Sequence, residues 1–200
     1  MSLNTGSNCR SKNSYLNQFR WFLPLLLCSF LLSACSNLPP IRTEAQVDLN
    51  RFMGDWYVIA NIPTFIEKGA HNAVESYQLD DEGNILTQFQ FNQDGFNGKI
   101  KTYNPKGFVW DKTSNAVWGM QFIWPIEMEY RIVYLNQDYS QTIIGRSDRD
   151  YVWIMARTPQ ISEQTYRKLV SIVRDQGYDT SQLVKVPQQP LSIRKNNKSH

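Results

Sequence analysis

The stretch Leu79-Asp80-Asp81-Glu82-Gly83-Asn84-Ile85-Leu86-Thr87-Gln88-Phe89-Gln90-Phe91 decides the fold class. Its first part is a hairpin turn, polar residues around a glycine that reaches positive φ without a Cβ clash. Its second part alternates. Ile85, Thr87, Phe89 and Phe91 fall on one face and Leu86, Gln88 and Gln90 on the other, the period of two that marks a strand with distinct sides. The same texture extends both ways. Candidate strands cover 56–62, 73–79, 85–91, 99–103, 117–123, 130–135, 141–145 and 151–156. Asn92-Gln93-Asp94-Gly95 and Asn104-Pro105-Lys106-Gly107 read as punctuation between them. Large side chains keep to one side: Trp118, Met120 and Phe122 together, and Tyr151, Trp153 and Met155 with Arg157, opposite Val152, Ile154 and Ala156. The reading is all-β, and eight antiparallel strands closing on themselves would give an interior able to hold one small ligand. An ordinary packed core accounts for the same alternation.

After the strands the period changes. Over 161–176, Tyr166, Leu169, Val170 and Val173 form one apolar stripe at helical spacing. Ser162 is placed to cap the start and Gly177 to stop the end. This C-terminal helix is expected to pack outside the sheet. Leu183-Val184-Lys185-Val186 suits a short further strand, and 188–200 a mobile tail. The barrel domain is thus expected over 48–187, with 35–47, including Pro39-Pro40, as a tether.

The composition, 42% hydrophobic, 20% charged and 13% aromatic, excludes a disordered chain, a collagen-like fibre and a coiled coil. The formal charge is +3, but Arg10, Lys12, Arg20, Arg194, Lys195 and Lys198 lie at the two ends. Taking these six from the 21 basic residues leaves 15 against 18 acids, a net of −3 over 35–193. No basic groove for nucleic acid is expected. Residues 1–34 have the layout of a signal peptide: basic residues, then the apolar run 21–32, then small residues. Leu32-Ser33-Ala34-Cys35 resembles the lipobox of bacterial lipoproteins. That resemblance implies cleavage before Cys35, lipid on its thiol and new amino terminus, and, with Ser36 following, anchoring to the outer membrane facing the periplasm. Several acyl chains together hold a protein firmly to a membrane. Cys9 and Cys28 lie in the leader, so the mature domain has no thiol for a disulfide, a metal or a nucleophile.

Leu49-Asn50-Arg51-Phe52-Met53-Gly54-Asp55-Trp56-Tyr57 resembles the first signature of the lipocalins, a short helical turn leading into Gly-x-Trp. Asp138-Tyr139 matches the second, with Gln137 where threonine is usual, and Arg157 stands where the third places its arginine. The run Asp148 to Pro159 and the loop Asn61 to Gly69 are similar to the bacterial outer-membrane lipocalins and apolipoprotein D. The resemblance spans roughly Val47 to Gln188 and implies an eight-stranded antiparallel up-and-down β-barrel with the C-terminal α-helix packed outside. In a closed barrel the first strand can lie beside the last, which would set the Arg157 guanidinium over the Trp56 indole and plug one end. Gly54, Trp56, Asp138, Tyr139 and Arg157 are therefore expected to be structural.

The lumen is expected to bind the ligand. Parity from Trp56 turns Val58 and Ala60 inward, and parity from Arg157 turns Met155, Trp153 and Tyr151 inward. The resemblance adds Tyr77 and Phe89, with Phe91 on the same face. Trp118, Met120, Phe122, Ile132 and Tyr134 complete the expected wall. A greasy wall with a few hydroxyls and an indole N–H suits a long tail with a polar head, and the resemblance implies the same class, a fatty acid or lysophospholipid. His71 is the one histidine of the expected domain. It suits neither a catalytic constellation nor a haem ligand, so no catalysis, cofactor or metal is expected. A barrel filled by its own aromatics, serving as an anchored structural or protein-interaction lipoprotein, is the alternative, and a homodimer through the open rim is compatible with either.

Overall fold

The alternating segments become a closed sheet in the computed structural model, which describes residues 39–196. Its strands are β1 (Gly54–Ile62), β2 (Ala70–Leu79), β3 (Ile85–Gln93), β4 (Ile100–Tyr103), β5 (Lys106–Val109), β6 (Val117–Ile123), β7 (Ile126–Leu135), β8 (Gln141–Gly145), β9 (Val152–Ala156) and β10 (Val184–Lys185). The wall strands pair antiparallel in chain order, β1 pairs with β9 to close the ring, and β10 pairs with β1. β4 and β5 share one register on β3, with Phe89 opposite Tyr103 and Ile85 opposite Gly107. They are two halves of one wall strand, which makes the barrel eight-stranded. All these pairings lie within the unit that starts at Pro40, so the chain beyond Cys35 contains the whole barrel.

That continuity corrects the reading of residues 104–107 as punctuation. Proline removes a donor without ending an extended strand. The Pro105 carbonyl still accepts from the Thr87 N–H at 3.1 Å; only the return bond is missing. β7 likewise starts at Ile126, four residues before the expected 130, because it pairs back on β6 almost to the turn, Ile123 opposite Ile126.

One end of the barrel is sealed. Asp48 caps the short helix α1 (Leu49–Phe52), accepting the Arg51 N–H. Phe52 then lies 5.0 Å from the Trp56 ring and 5.4 Å from the Trp118 ring, centre to centre. Trp56 is fully buried and donates its indole N–H to the Phe52 carbonyl at 2.8 Å. The Arg157 guanidinium stands 3.8 Å over the Trp56 ring and donates to the carbonyls of Arg51, Phe52, Asp55 and Tyr139. Gly54, at φ +93°, leaves room for it: a Cβ there would sit 3.3 Å from Nη1. Tyr139, at φ +60°, accepts the Asp48 N–H through its hydroxyl and carries the Arg51 guanidinium 3.9 Å above its ring.

Two apolar cores result. The inner one holds Phe52, Trp56, Val58, Tyr77, Trp118, Ile132 and Met155. The outer one lies between the wall and α2 (Glu163–Asp175), where Leu169 and Val173 meet Ile59, Ile143 and Ile154. Ser162 accepts the Thr165 N–H as the cap of α2, and Gly177 follows at φ +90°.

The flanks are more engaged than a tether and a tail. Ile41 and Val47 are buried, Glu44 N–H donates to the Ile132 carbonyl, and Val47 N–H donates to the Ser114 carbonyl. Single apolar residues among polar ones show no periodicity, so this docking leaves no local signal in the sequence. At the other flank the Gln188 amide donates to the carbonyls of Val58 and Ala73, and Gln189 N–H donates to the Asn72 side chain. Residues 188–196 therefore lie against the barrel and end in a short helix, α3 (Leu191–Asn196). Cys35 and the leader lie outside the described residues.

Candidate functional site

The end opposite Arg157 stays open. The turns after β1, β3, β6 and β8 surround it, and large apolar side chains stand on that rim: Phe65 is 82% exposed, Trp124 81% and Ile123 72%. Behind the rim lies a cavity of about 300 Å³, at the lower end of the range for small-molecule sites. Thr64–Glu67 of the first loop, Phe89, Tyr103, Pro105, Met120, Phe122, Met128 and Trp153 form its sides. Glu75, Thr87 and Tyr130 are the lining residues nearest the sealed end on β2, β3 and β7.

Of the expected ligand wall, Phe89, Met120, Phe122 and Trp153 line this cavity. Val58, Tyr77, Phe91, Trp118, Ile132 and Met155 belong to the packed inner core and support the cavity without lining it. Three further positions do not line it either. Ala60 packs in the outer core, because the β1–β9 register shifts between Val58 and Ala60 and a bulge reverses side-chain parity beyond it. Tyr134 also packs on the outer side, where Lys168 donates to its hydroxyl at 3.4 Å, after a register shift between Ile132 and Tyr134. Tyr151 lies just ahead of β9, its ring 6.3 Å from Trp153 and 5.5 Å from the Arg146 guanidinium carbon. It does not line the cavity, because parity cannot be carried beyond a strand's end.

The polar groups of the lumen were missed. Glu75 sits two residues before Tyr77 and Tyr130 two before Ile132, so alternation did place them inward; attention to large apolar residues passed over them. Tyr77 and Tyr130 share a hydroxyl–hydroxyl hydrogen bond of 2.7 Å, and Tyr77 also donates to the Glu75 carboxyl. Burial, with repulsion from Glu67, pushes the Glu75 pKa up to about 8, so its neutral form predominates at neutral pH. Burial likewise raises the Tyr130 hydroxyl well above its ordinary value.

Glu67 is well satisfied. Its carboxyl accepts from Thr64 N at 2.9 Å, Thr64 Oγ1 at 2.7 Å and Trp153 Nε1 at 2.6 Å. Thr87 Oγ1, by contrast, is buried and has no hydrogen-bond partner among the described residues. Among the described residues Arg146 is the only basic one on the lining; it pairs with Asp150 at 2.6 Å. Nearby, burial alone would raise the Glu129 carboxyl, but hydrogen bonds from Arg131 and Ser147 hold it below the usual value. The charged pairs therefore gather around the mouth, while the inner end holds a neutral acid and hydroxyls. Among the described residues no cluster of His, Cys, Asp and Glu could hold a metal ion.

Comparison with known proteins gives a consistent picture. The family model described as a Lipocalin-like domain matches residues 47–188. The outer membrane lipoprotein Blc of Escherichia coli K12 is 30% identical over 186 residues, covering 85% of this chain and 98% of that protein. Temperature-induced lipocalin-1 of Arabidopsis thaliana is 33% identical over 151 residues, covering 71% of this chain and 80% of that one. Among solved structures, insecticyanin of the tobacco hornworm Manduca sexta superposes with a TM-score of 0.60 at 15% identity, covering 74% of this chain and 84% of its own. That last likeness concerns the fold alone.

Proposed function

The chain belongs to the lipocalin family, and we propose that it is an outer-membrane-anchored carrier that binds lipophilic molecules in the lumen and stores or shuttles them during membrane maintenance under stress. The observation that carries this reading is the 300 Å³ cavity behind an apolar rim, at the open end of a barrel sealed at the other. Fatty acids and lysophospholipids are the ligands the arrangement favours. An acyl tail entering between Phe122, Met120 and Phe89 gains up to about 0.8 kcal/mol per buried methylene, reduced by the ordering of the chain. Its anionic head then remains at the mouth, where Arg146 stands. No catalytic step is part of this function, and nothing in the lining requires a cofactor.

The anchor is Cys35, on the motif that precedes the barrel, and the likeness to proteins named outer membrane lipoproteins supports the location. The barrel then faces the periplasm, its lumen close to the membrane from which acyl lipids are released.

Titration of the chain from Ser36 onward with lysophospholipid tests the binding. Tryptophan emission should change saturably, and Trp153→Ala should damp the change. A flat titration, with no adduct by native mass spectrometry, overturns the reading in favour of a barrel that serves as a structural or interaction module. Cys35→Ala in the full chain should abolish membrane retention after fractionation; unchanged retention of a processed protein overturns the anchor.

A further inference from the structure

The acyl-chain reading leaves the inner end of the lumen unexplained. A cavity built only for hydrocarbon would end in hydrocarbon, because each polar group it desolvates without a partner weakens the fold. This one ends in Glu75, Thr87 and the Tyr130 hydroxyl. The Thr87 hydroxyl is 5% exposed at the residue level and makes no hydrogen bond among the described residues. A second acid, Glu67, lines the same cavity, and among the described residues no lysine, arginine or histidine lines it except Arg146, held by Asp150.

We propose that this inner end is a subsite for a positively charged nitrogen, so that the lumen takes lipophilic amines amine-first, with Glu75 as counter-ion and specificity-determining residue. This rests on the reading of the lumen as a ligand site. An ammonium group carries three N–H donors and no acceptor. The inner end offers acceptors of matching kind: the Glu75 carboxylate, the free Thr87 Oγ1 and the Tyr130 hydroxyl oxygen. The ring faces of Phe89 and Tyr103, stacked 6.4 Å apart, add the aromatic surface that favours a cation. A carboxylate arriving at the same place would meet the Glu75 carboxyl and no cation. Charge thus sets orientation: acyl lipids enter tail-first with the anionic group at Arg146, and amines enter the other way round.

Binding carries a proton balance. The ammonium form of the ligand keeps its proton, Glu75 gives up its own to solvent, and the complex holds an ammonium–carboxylate pair. The titratable groups facing Glu75 are Glu67 from the first loop, Tyr77 beside it on β2 and Tyr130 across the barrel on β7. Glu67 already serves as acceptor to Thr64 and Trp153, and burial and the nearby Glu75 hold the Tyr130 hydroxyl protonated. Glu75 is the group whose carboxyl burial raises, to a pKa of about 8.

The test titrates the chain from Ser36 onward with dodecylamine, dodecanoate and dodecanol, following tryptophan emission. Dodecylamine should bind about tenfold or more tighter than dodecanoate at neutral pH, and its affinity should rise with pH by up to about tenfold per unit until about pH 8. Glu75→Gln should abolish the amine's advantage and its pH dependence while dodecanol still binds. Calorimetry of the unmodified chain in buffers of different ionisation enthalpy should show up to one proton released per amine bound, a readout independent of how the variant folds. Binding of dodecanol with no preference for the amine, or an amine preference that survives Glu75→Gln, or no proton release, overturns the subsite and leaves the lumen reading intact. Failure of all three probes to bind overturns both.

Discussion

Replacing Glu75 by glutamine should stabilise the protein in mild alkali and leave it nearly unchanged in acid. The carboxyl titrates near 8 in the folded protein against an ordinary 4.5, first because burial disfavours its charged form and then because Glu67 repels it. Between those values the unfolded chain has lost the proton and the native chain keeps it. The native state binds more protons there, so stability is full below the unfolded value, falls as pH rises through the window, and levels off above it. Each unit corresponds to about 1.4 kcal/mol, which puts a ceiling of about 5 kcal/mol on the whole window. Water reaching through the open mouth screens the charge, and a difference of about 2–3 kcal/mol is expected. Glutamine keeps the shape and is neutral throughout. Urea unfolding of both proteins at about pH 5 and about pH 8.5 measures the effect, since every other titration is common to the two and cancels. With slopes of about 1–3 kcal/mol per molar, the midpoints should separate by about 0.7–3 M only at the higher pH. Curves that stay parallel across the range would mean that Glu75 is solvated or ionised in the native barrel, and the account of the inner lumen would fail.

Thr87→Val removes a buried hydroxyl that has no partner, so chemical denaturation should show a gain of about 1 kcal/mol together with weaker dodecylamine binding. Arg157→Ala withdraws donors from four carbonyls and a cation from the Trp56 face; because the site is half-exposed, water recovers part of this and about 2–4 kcal/mol should be lost. Arg157→Lys, unable to fork to four acceptors, should restore less than half of it. Trp153→Phe strips Glu67 Oε1 of its indole donor and should lower the unfolding midpoint by the equivalent of about 1–2 kcal/mol, seen by thermal scans.

The barrel was legible because its evidence is local and repeated. Turn residues and alternation located seven wall strands within a few residues, and the distant pair Trp56 and Arg157 followed from closure of the ring. What failed was parity across interruptions. Ala60 and Tyr134 each follow a register shift, and a bulge depends on how two strands meet, which neither strand states alone. Pro105 was read as a break because its missing donor is visible in the sequence, whereas the carbonyl that keeps it in the sheet is not. Within the candidate site, apolar residues were sought and found in part, with Phe89, Met120, Phe122 and Trp153. Glu75 was equally well placed by alternation from Tyr77, but nothing in the sequence says that an inward acid meets no cation. Arg146 and Glu67 come from the ends and loops of strands, where the period of two no longer applies.

The hollow itself works against stability, and this separates the two ends of the barrel by role. Unfilled core volume forfeits about 24 cal/mol per Å³ in mutational series, which over 300 Å³ sets an upper bound of about 7 kcal/mol, comparable to the whole stability of an ordinary domain. Water in the mouth reduces that loss without removing it. The fold tolerates it because packing is concentrated elsewhere: the aromatic plug of Phe52, Trp56 and Trp118 at the sealed end, and the seam of Leu169 and Val173 against Ile143 and Ile154 outside the wall. A ligand that fills the hollow should return part of the missing contacts to the native state alone. At a free concentration of about 100 times its dissociation constant, a lysophospholipid should therefore add about 2.7 kcal/mol to unfolding, read as a midpoint that climbs with ligand concentration. A midpoint indifferent to ligand that is demonstrably bound would mean that the unfolded chain takes it up as well as the folded one, so that the hollow does not hold it, and the division of labour between plug and lumen would not hold.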